Sequence, residues 1–188
     1  MKVKPIGIIH SPFQQATGTP IQPRAAEGAK GTVVVYPEFA AGLKDLEGFE
    51  RIWLLYWFDR AKYERCDLVV KPFLDDTPHG VFSTRAPARP NPIGLSAVRL
   101  LEVRGNLLSV CDVDILDGTP LLDIKPYFPQ FDCFQVTKSG WLKGSSLRRA
   151  KADNRFERKG TKGPGATTAR RPSASGLLAS HRRPDNKD

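Results

Sequence analysis

Three prolines, at 87, 90 and 92, constrain this 188-residue chain more than any other feature. They lie in Ser83-Thr84-Arg85-Ala86-Pro87-Ala88-Arg89-Pro90-Asn91-Pro92-Ile93-Gly94-Leu95-Ser96. Each removes a backbone donor, so this stretch cannot run through the middle of a sheet. Ala86, Arg89 and Asn91 each precede a proline and are pushed toward extended or polyproline conformations. The expected result is a stiff arch, ordered before any ligand arrives, from which Arg85, Arg89 and Asn91 project. Gly94 permits a tight exit or a close backbone approach. Residues 80–82 before the arch and 95–103 after it read as strands. A preorganised polar loop between apolar strands binds ligands at low entropic cost. The prolines could equally do no more than end one strand and start another.

The rest of the chain reads as many short strands with Gly/Pro punctuation. Residues 6–9, 31–36, 68–70, 93–103, 107–115 and 121–124 have the apolar, β-branched character of strands. The run Ile52-Trp53-Leu54-Leu55-Tyr56-Trp57-Phe58 is continuous enough to predict a buried one. Its aromatic stripe suits a core, whereas Asp59 and Arg60 at its end can reach a cleft. Gly105-Asn106 is a two-residue hairpin signal between 93–103 and 107–115. A helix of about two turns is expected over 38–46, stopped by Gly48. Residues 14–30 form a long polar loop of the kind that is usually functional or disordered. Little helix and many strands predict a mainly β chain, a small closed β-barrel with short helical segments.

Charge divides the chain in two. Residues 138–188 hold 14 Lys/Arg against 4 Asp/Glu, while the whole chain carries +9, so residues 1–137 are almost neutral. The predicted organisation is a barrel domain over 1–137 and a basic, disordered C-terminal tail over 138–188, with a brief helix over 147–156. From residue 144 on, the tail lacks the large apolar residues needed to offset its ordering entropy. Cys66, Cys111 and Cys133 are odd in number and widely spaced, as are His10, His79 and His181. That spacing favours neither a disulfide framework nor a metal site. No stretch approaches the roughly 20 apolar residues of a membrane span, and the N-terminus has no apolar leader. The chain is expected to be cytoplasmic, with no metal and no membrane partner.

No strand is followed by Gly-x-Gly-x-x-Gly, so a Rossmann-type dinucleotide or methyltransferase site is missing. What remains is Arg85, Arg89 and Asn91, the Asp114 to Thr119 turn region, and Lys125. Asp117-Gly118-Thr119-Pro120 is a good β-turn with or without a ligand.

Arg85 to Ser96, Asp112-Val113-Asp114-Ile115-Leu116-Asp117-Gly118-Thr119-Pro120 and Asp123-Ile124-Lys125-Pro126-Tyr127 closely resemble the TsaA-like family. The likeness spans residues 3–133, with the motifs in the family's order and spacing. The family includes the TrmO-type methyltransferases, which act on N6 of threonylcarbamoyladenosine at position 37 of tRNA. The resemblance implies a small β-barrel, often a homodimer, using S-adenosyl-L-methionine and tRNA. Its cofactor positions match Gln22 and Pro23 in the segment Ile21-Gln22-Pro23-Arg24, Asp59 and Arg60, Arg85, Leu95, and Asp117, Gly118, Thr119 and Pro120. Arg89, Asn91 and Lys125, from the constellation above, are the substrate-binding candidates. Some relatives have a histidine where Asp59 stands, and some carry a folded C-terminal extension where this chain has its basic tail.

The cofactor carries a carboxylate, a sulfonium, a ribose and a flat base; an arginine, turn amides and apolar flanks suit it. Methyl transfer to a ureido nitrogen also requires a proton acceptor. Asp117 and Asp114 are the candidates, Asp117 preferred for its place in the turn. Every matched cofactor position lies at or before Pro120, so the cofactor is expected to bind without residues 138–188. Two other readings stand beside this one: a non-catalytic RNA-binding module using the basic tail, and the same cofactor chemistry on a different acceptor.

Overall fold

Along β3 (Arg51–Trp57) buried and half-buried side chains alternate, with Ile52, Leu54 and Tyr56 inward and Trp53, Leu55 and Trp57 outward. That period of two is the signature of a strand in a barrel wall, apolar on both faces but sealed only on one. In the computed structural model, which describes residues 2–26, 28–61, 67–143 and 151–156, six strands close into a barrel. They are β1 (Gly7–His10), β2 (Lys30–Val35), β3, β6 (Ile93–Arg104), β7 (Leu107–Cys111) and β8 (Thr119–Pro126), in the order β1-β2-β7-β6-β3-β8 with β8 returning to β1. All pairs are antiparallel. Full closure leaves none of these strands as an open edge. Ile9, Val33, Val35, Leu54, Val98, Leu108, Val110 and Leu121 fill the interior and are at most 1% exposed.

The predicted hairpin forms: Arg104 pairs with Leu107 across Gly105, which takes a left-handed φ of 59°. Asn106 then ties the turn to β2, its Nδ2 donating to the Val35 carbonyl at 2.7 Å. Other expectations are corrected. The strand after the hairpin stops at Cys111, because Asp112 adopts φ 67° and turns the chain across the barrel end. Asp112 is held there by Arg51 at 3.1 Å and Arg99 at 2.9 Å, and the Arg99 hydrogen bond keeps its carboxyl below the usual range. Val113 and Ile115 then join the buried barrel core.

The helix expected over 38–46 is two 3₁₀ turns, Pro37–Leu43 and Leu46–Gly48. Asp45 between them has φ 66°, which interrupts any continuous helix while Leu43 and Leu46 cap the core. Of residues 80–82, only Gly80 lies in a strand. A two-rung ladder of β4 (Val69–Val70) and β5 (His79–Gly80) ends at Gly80, and Val81–Ser83 is a 3₁₀ turn. Val81 dives into a small second core with Val70 and Ala86, leaving Phe82 77% exposed.

Residues 151–156 are not helical, and they pack against the loops beside the barrel. The rest of the helix expected over 147–156, and the remainder of the tail beyond 156, lie outside the described residues, as does Cys66. Among the described residues no helix is long and apolar enough to cross a membrane.

Candidate cofactor site at the barrel mouth

The ends of β1, β3 and β7 and the starts of β2, β6 and β8 share one end of the barrel, and the arch rises there. Its first residues are locked locally: the Thr84 hydroxyl donates to the Val81 carbonyl at 2.9 Å and accepts from the Ala86 N–H at 3.2 Å. Arg89 Nη1 reaches back to the carbonyls of Thr84 at 3.0 Å and Ala86 at 3.2 Å. Arg89 thus staples the arch, and at least one of its guanidinium nitrogens is committed to the arch's own backbone. The arch exits through Gly94, opposite Tyr56 in the β3–β6 ladder. A Cβ there would fall inside the envelope of the Tyr56 ring, so only glycine lets the ring lie across the strand.

Arg85 stands exposed on the arch, and its Nη1 donates to Gln22 Oε1 at 2.7 Å. That bond joins the arch to the long loop of residues 14–30, whose Pro23–Ala25 portion is a 3₁₀ turn. Across the mouth, Arg60 Nη2 donates to the Asp117 carbonyl, and Arg60 Nε lies 3.8 Å from Asp59. The Leu116–Thr119 turn closes with Gly118 at φ 76°, as its glycine predicts, and a Cβ on Gly118 would stand 3.3 Å from Arg60 Nη2. Beyond the turn Thr119 and Pro120 begin β8. Ile93 and Leu95 point outward from β6 and are 42% and 45% exposed.

The two candidate carboxylates have opposite environments. Asp117 Oδ1 lies 3.1 Å from both the Ser11 N–H and His10 Nδ1. Burial raises its pKa, but the Ser11, Gln14 and His10 hydrogen bonds outweigh that, and the net direction is down. Asp114 sits against the inner wall, where Ser96 Oγ donates to its Oδ1 at 2.6 Å. Ser96 has one proton to give, so the Tyr56 hydroxyl, 3.1 Å from Ser96 Oγ, is the donor in that contact. Burial pushes Asp114 up to about 7, against the pull of Ser96, its own backbone N–H and Arg85. Burial and the Asp114 charge likewise raise Tyr56.

Gln22, Pro23, Asp59, Arg60, Arg85, Leu95 and the Asp117 to Pro120 turn therefore border one end of the barrel. Asn91 is exposed on the far limb of the arch. Lys125 is elsewhere. It lies six residues along β8 from Thr119, about 20 Å toward the opposite end, and pairs with Asp123 at 2.8 Å. The residues the sequence did not single out are Tyr56 and Ser96. Their signal was a polar group at an inward position of an apolar strand, where a partner is obligatory.

The donors present suit an anionic, partly flat ligand. An exposed arginine can take a carboxylate, the turn offers backbone groups, and Ile93, Leu95 and Pro23 offer apolar surface. The family described as the tRNA-methyltransferase O N-terminal domain matches residues 8–133. The chain belongs to that family. Among its relatives, a probable S-adenosyl-L-methionine-binding protein of Pyrococcus abyssi is 56% identical over 155 residues, covering 81% of this chain and 83% of the other. The human tRNA (adenine(37)-N6)-methyltransferase is 38% identical over 136 residues, 69% of this chain but only 30% of the human protein. The crystal structure of TrmO from Pseudomonas aeruginosa superposes with a TM-score of 0.63 at 38% identity, over 75% of this chain and 62% of that one. This chain thus spans less than two thirds of the solved family member.

Proposed function

We propose that this chain is an S-adenosyl-L-methionine-dependent methyltransferase that methylates N6 of threonylcarbamoyladenosine at position 37 of tRNA. The observation that carries the reading is the junction of Arg85 with Gln22 at the barrel mouth, facing the Arg60-braced Asp117 to Pro120 turn. Membership of the family supports it. When bound, the cofactor supplies an electrophilic methyl group on sulfur. Arg85 would hold its carboxylate, and Gln22 and Pro23, Asp59 and Arg60, Leu95 and the turn would border the rest. Asn91 and the free edge of Arg89 face the tRNA.

The chain's further task is to accept the N6 proton as the new N–CH₃ bond forms. Asp114 is the better acceptor, with its pKa raised to about 7 by burial and its orientation set by Ser96. A general base works best with a pKa near the working pH. Asp117, held by Ser11, Gln14 and His10 and lowered in pKa, is better suited to holding the turn against β1.

The test incubates the protein with methyl-labelled cofactor and tRNA carrying threonylcarbamoyladenosine, followed by nucleoside mass spectrometry. Label in the N6-methylated nucleoside is the expected result. Label in another nucleoside would mean a different acceptor, and cofactor-independent tRNA binding without label would mean a non-catalytic module. Single-turnover rates at saturating cofactor then separate the carboxylates: Asp114→Asn should fall by about 10²–10⁴-fold, the range for a lost general base, and Asp117→Asn far less.

A further inference from the structure

The segment after the barrel returns to the mouth. In the 3₁₀ turn Gly140–Leu142, Trp141 Nε1 donates to the Ser83 carbonyl at 2.8 Å, and its ring stacks on His79 at 4.6 Å and 19°. His79 Nε2 is itself 2.9 Å from Asp75. Residues 151–156 then form a second brace. The Ala152 N–H donates to the Thr19 carbonyl at 2.7 Å and the Gly18 N–H to the Ala152 carbonyl at 2.9 Å, a short antiparallel rung beside buried Thr19 and Pro20. Arg155 is spread over five oxygens: both of Asp153 at 2.7–3.0 Å, the Pro72 carbonyl at 2.7 Å, the Lys71 carbonyl at 3.4 Å and Asp76 at 3.6 Å. Its guanidinium also lies 5.6 Å from the Phe73 ring centre. Phe156 meets Phe73 edge to face at 5.1 Å and packs on the small core of Val70, Val81 and Ala86.

These contacts converge on two residues. Thr19 and Pro20 lead into Gln22, and Ser83 and Ala86 flank Arg85. We propose that Trp141, Arg155 and Phe156 are positioning residues that hold the arch and the 14–30 loop in the register at which Arg85 meets Gln22. The start of the basic tail is then part of the cofactor-site scaffold rather than an appendage for RNA. This reading rests on the proposed cofactor. It reverses the expectation that every residue after 137 is dispensable for cofactor binding. Physically, the Arg85–Gln22 bond is exposed, and an exposed bond alone cannot hold two loops together. The strap supplies two backbone hydrogen bonds, to Gly18 and to buried Thr19, and an aromatic contact behind them, so the loops are ordered before binding and the ligand is spared that entropy.

The test uses the full chain with Arg155→Ala and Phe156→Ala combined, Arg155→Lys, and Trp141→Phe. Calorimetry with S-adenosylmethionine should show Kd raised about tenfold in the double variant, as preorganisation is lost. Amide exchange at residues 18–22 and 84–86 should speed up, while exchange in the barrel strands and the global melting temperature stay near the parent's. Arg155→Lys, which leaves Phe156 in place, should show part of that rise, because lysine keeps the charge but cannot span the Pro72 carbonyl and Asp153 together. Trp141→Phe keeps the stack on His79 and loses the bond to Ser83, and a smaller rise is expected.

Unchanged Kd and unchanged exchange in the double variant would overturn the proposal. So would a weakened affinity for tRNA that Arg155→Lys restores, since charge alone would then be the segment's role. A lowered melting temperature with parental Kd would mark the contacts as purely structural and overturn it as well. A parent that binds no S-adenosylmethionine would overturn the functional reading instead, and amide exchange at 18–22 and 84–86 would still decide the strap.

Discussion

The barrel interior and its mouth are held together by different physics. Inside, Ile9, Leu54, Val98, Leu108 and Leu121 are fully buried. Their contacts are non-directional and need only volume and the right face of each strand. At the mouth, residues far apart in sequence meet through single directional bonds: Arg85 with Gln22, Arg60 with the Asp117 carbonyl, His10 with Asp117. Mutations should therefore separate the two regions, with interior changes costing stability and rim changes costing ligand affinity or chemistry.

Leu54→Ala is the strongest test of the interior. It should cost about 2–5 kcal/mol in urea unfolding, the usual range for a buried leucine truncated in a packed core. Protein that remains folded should keep its cofactor affinity. A loss of stability below about 1 kcal/mol would show that the barrel wall, and not its filling, carries the fold.

Asp114 belongs to both regions, and pH sharpens the contrast. Its folded pKa of about 7 is raised above that of an exposed carboxyl. Between the unfolded value and about 7 the native state holds more protons than the unfolded one. The stability contributed by that protonation is present at low pH and lost as pH rises toward 7. Asp114→Asn has no such proton to lose. Its stability relative to the parent should climb between about pH 4 and pH 7, by at most about 4 kcal/mol at 1.4 kcal/mol per pH unit. A constant difference across that window would show that the carboxyl is not raised.

Arg85→Ala should leave stability within about 0.5 kcal/mol, as for an exposed side chain. It should weaken S-adenosylmethionine binding by about 1.5–3 kcal/mol, the worth of hydrogen bonds to a charged group. Arg85→Lys should lose nearly as much, because the two-pronged grip on a carboxylate is gone. Normal binding by the alanine variant, measured by calorimetry, would remove Arg85 from the site.

The smallest effect is expected at Lys125. Because it lies at the other end of β8, Lys125→Ala should leave both stability and cofactor affinity within about 0.5 kcal/mol of the parent. A tenfold loss of cofactor affinity there would mean that the two ends of the barrel meet in one site, as they would across two copies of the chain.

Much of this was legible in the residues. Pro87, Pro90 and Pro92 fix φ and remove donors wherever they are placed, so the arch and its exclusion from the sheet followed from local chemistry. Gly105 marked the hairpin, and Gly118 the turn, for the same reason: a left-handed φ is a property of one residue. The alternation in β3 was hidden, because Trp53, Leu55 and Trp57 are as apolar as their inward neighbours. Tertiary structure alone decided that burial raises the Asp114 carboxyl while hydrogen bonds lower Asp117, why Arg89 turns back on its own arch, and where Lys125 stands. It also decided that Trp141 meets the Ser83 carbonyl and Arg155 the Pro72 carbonyl. A side chain's partner, burial and pKa depend on groups tens of residues away in the chain, and no local propensity encodes them.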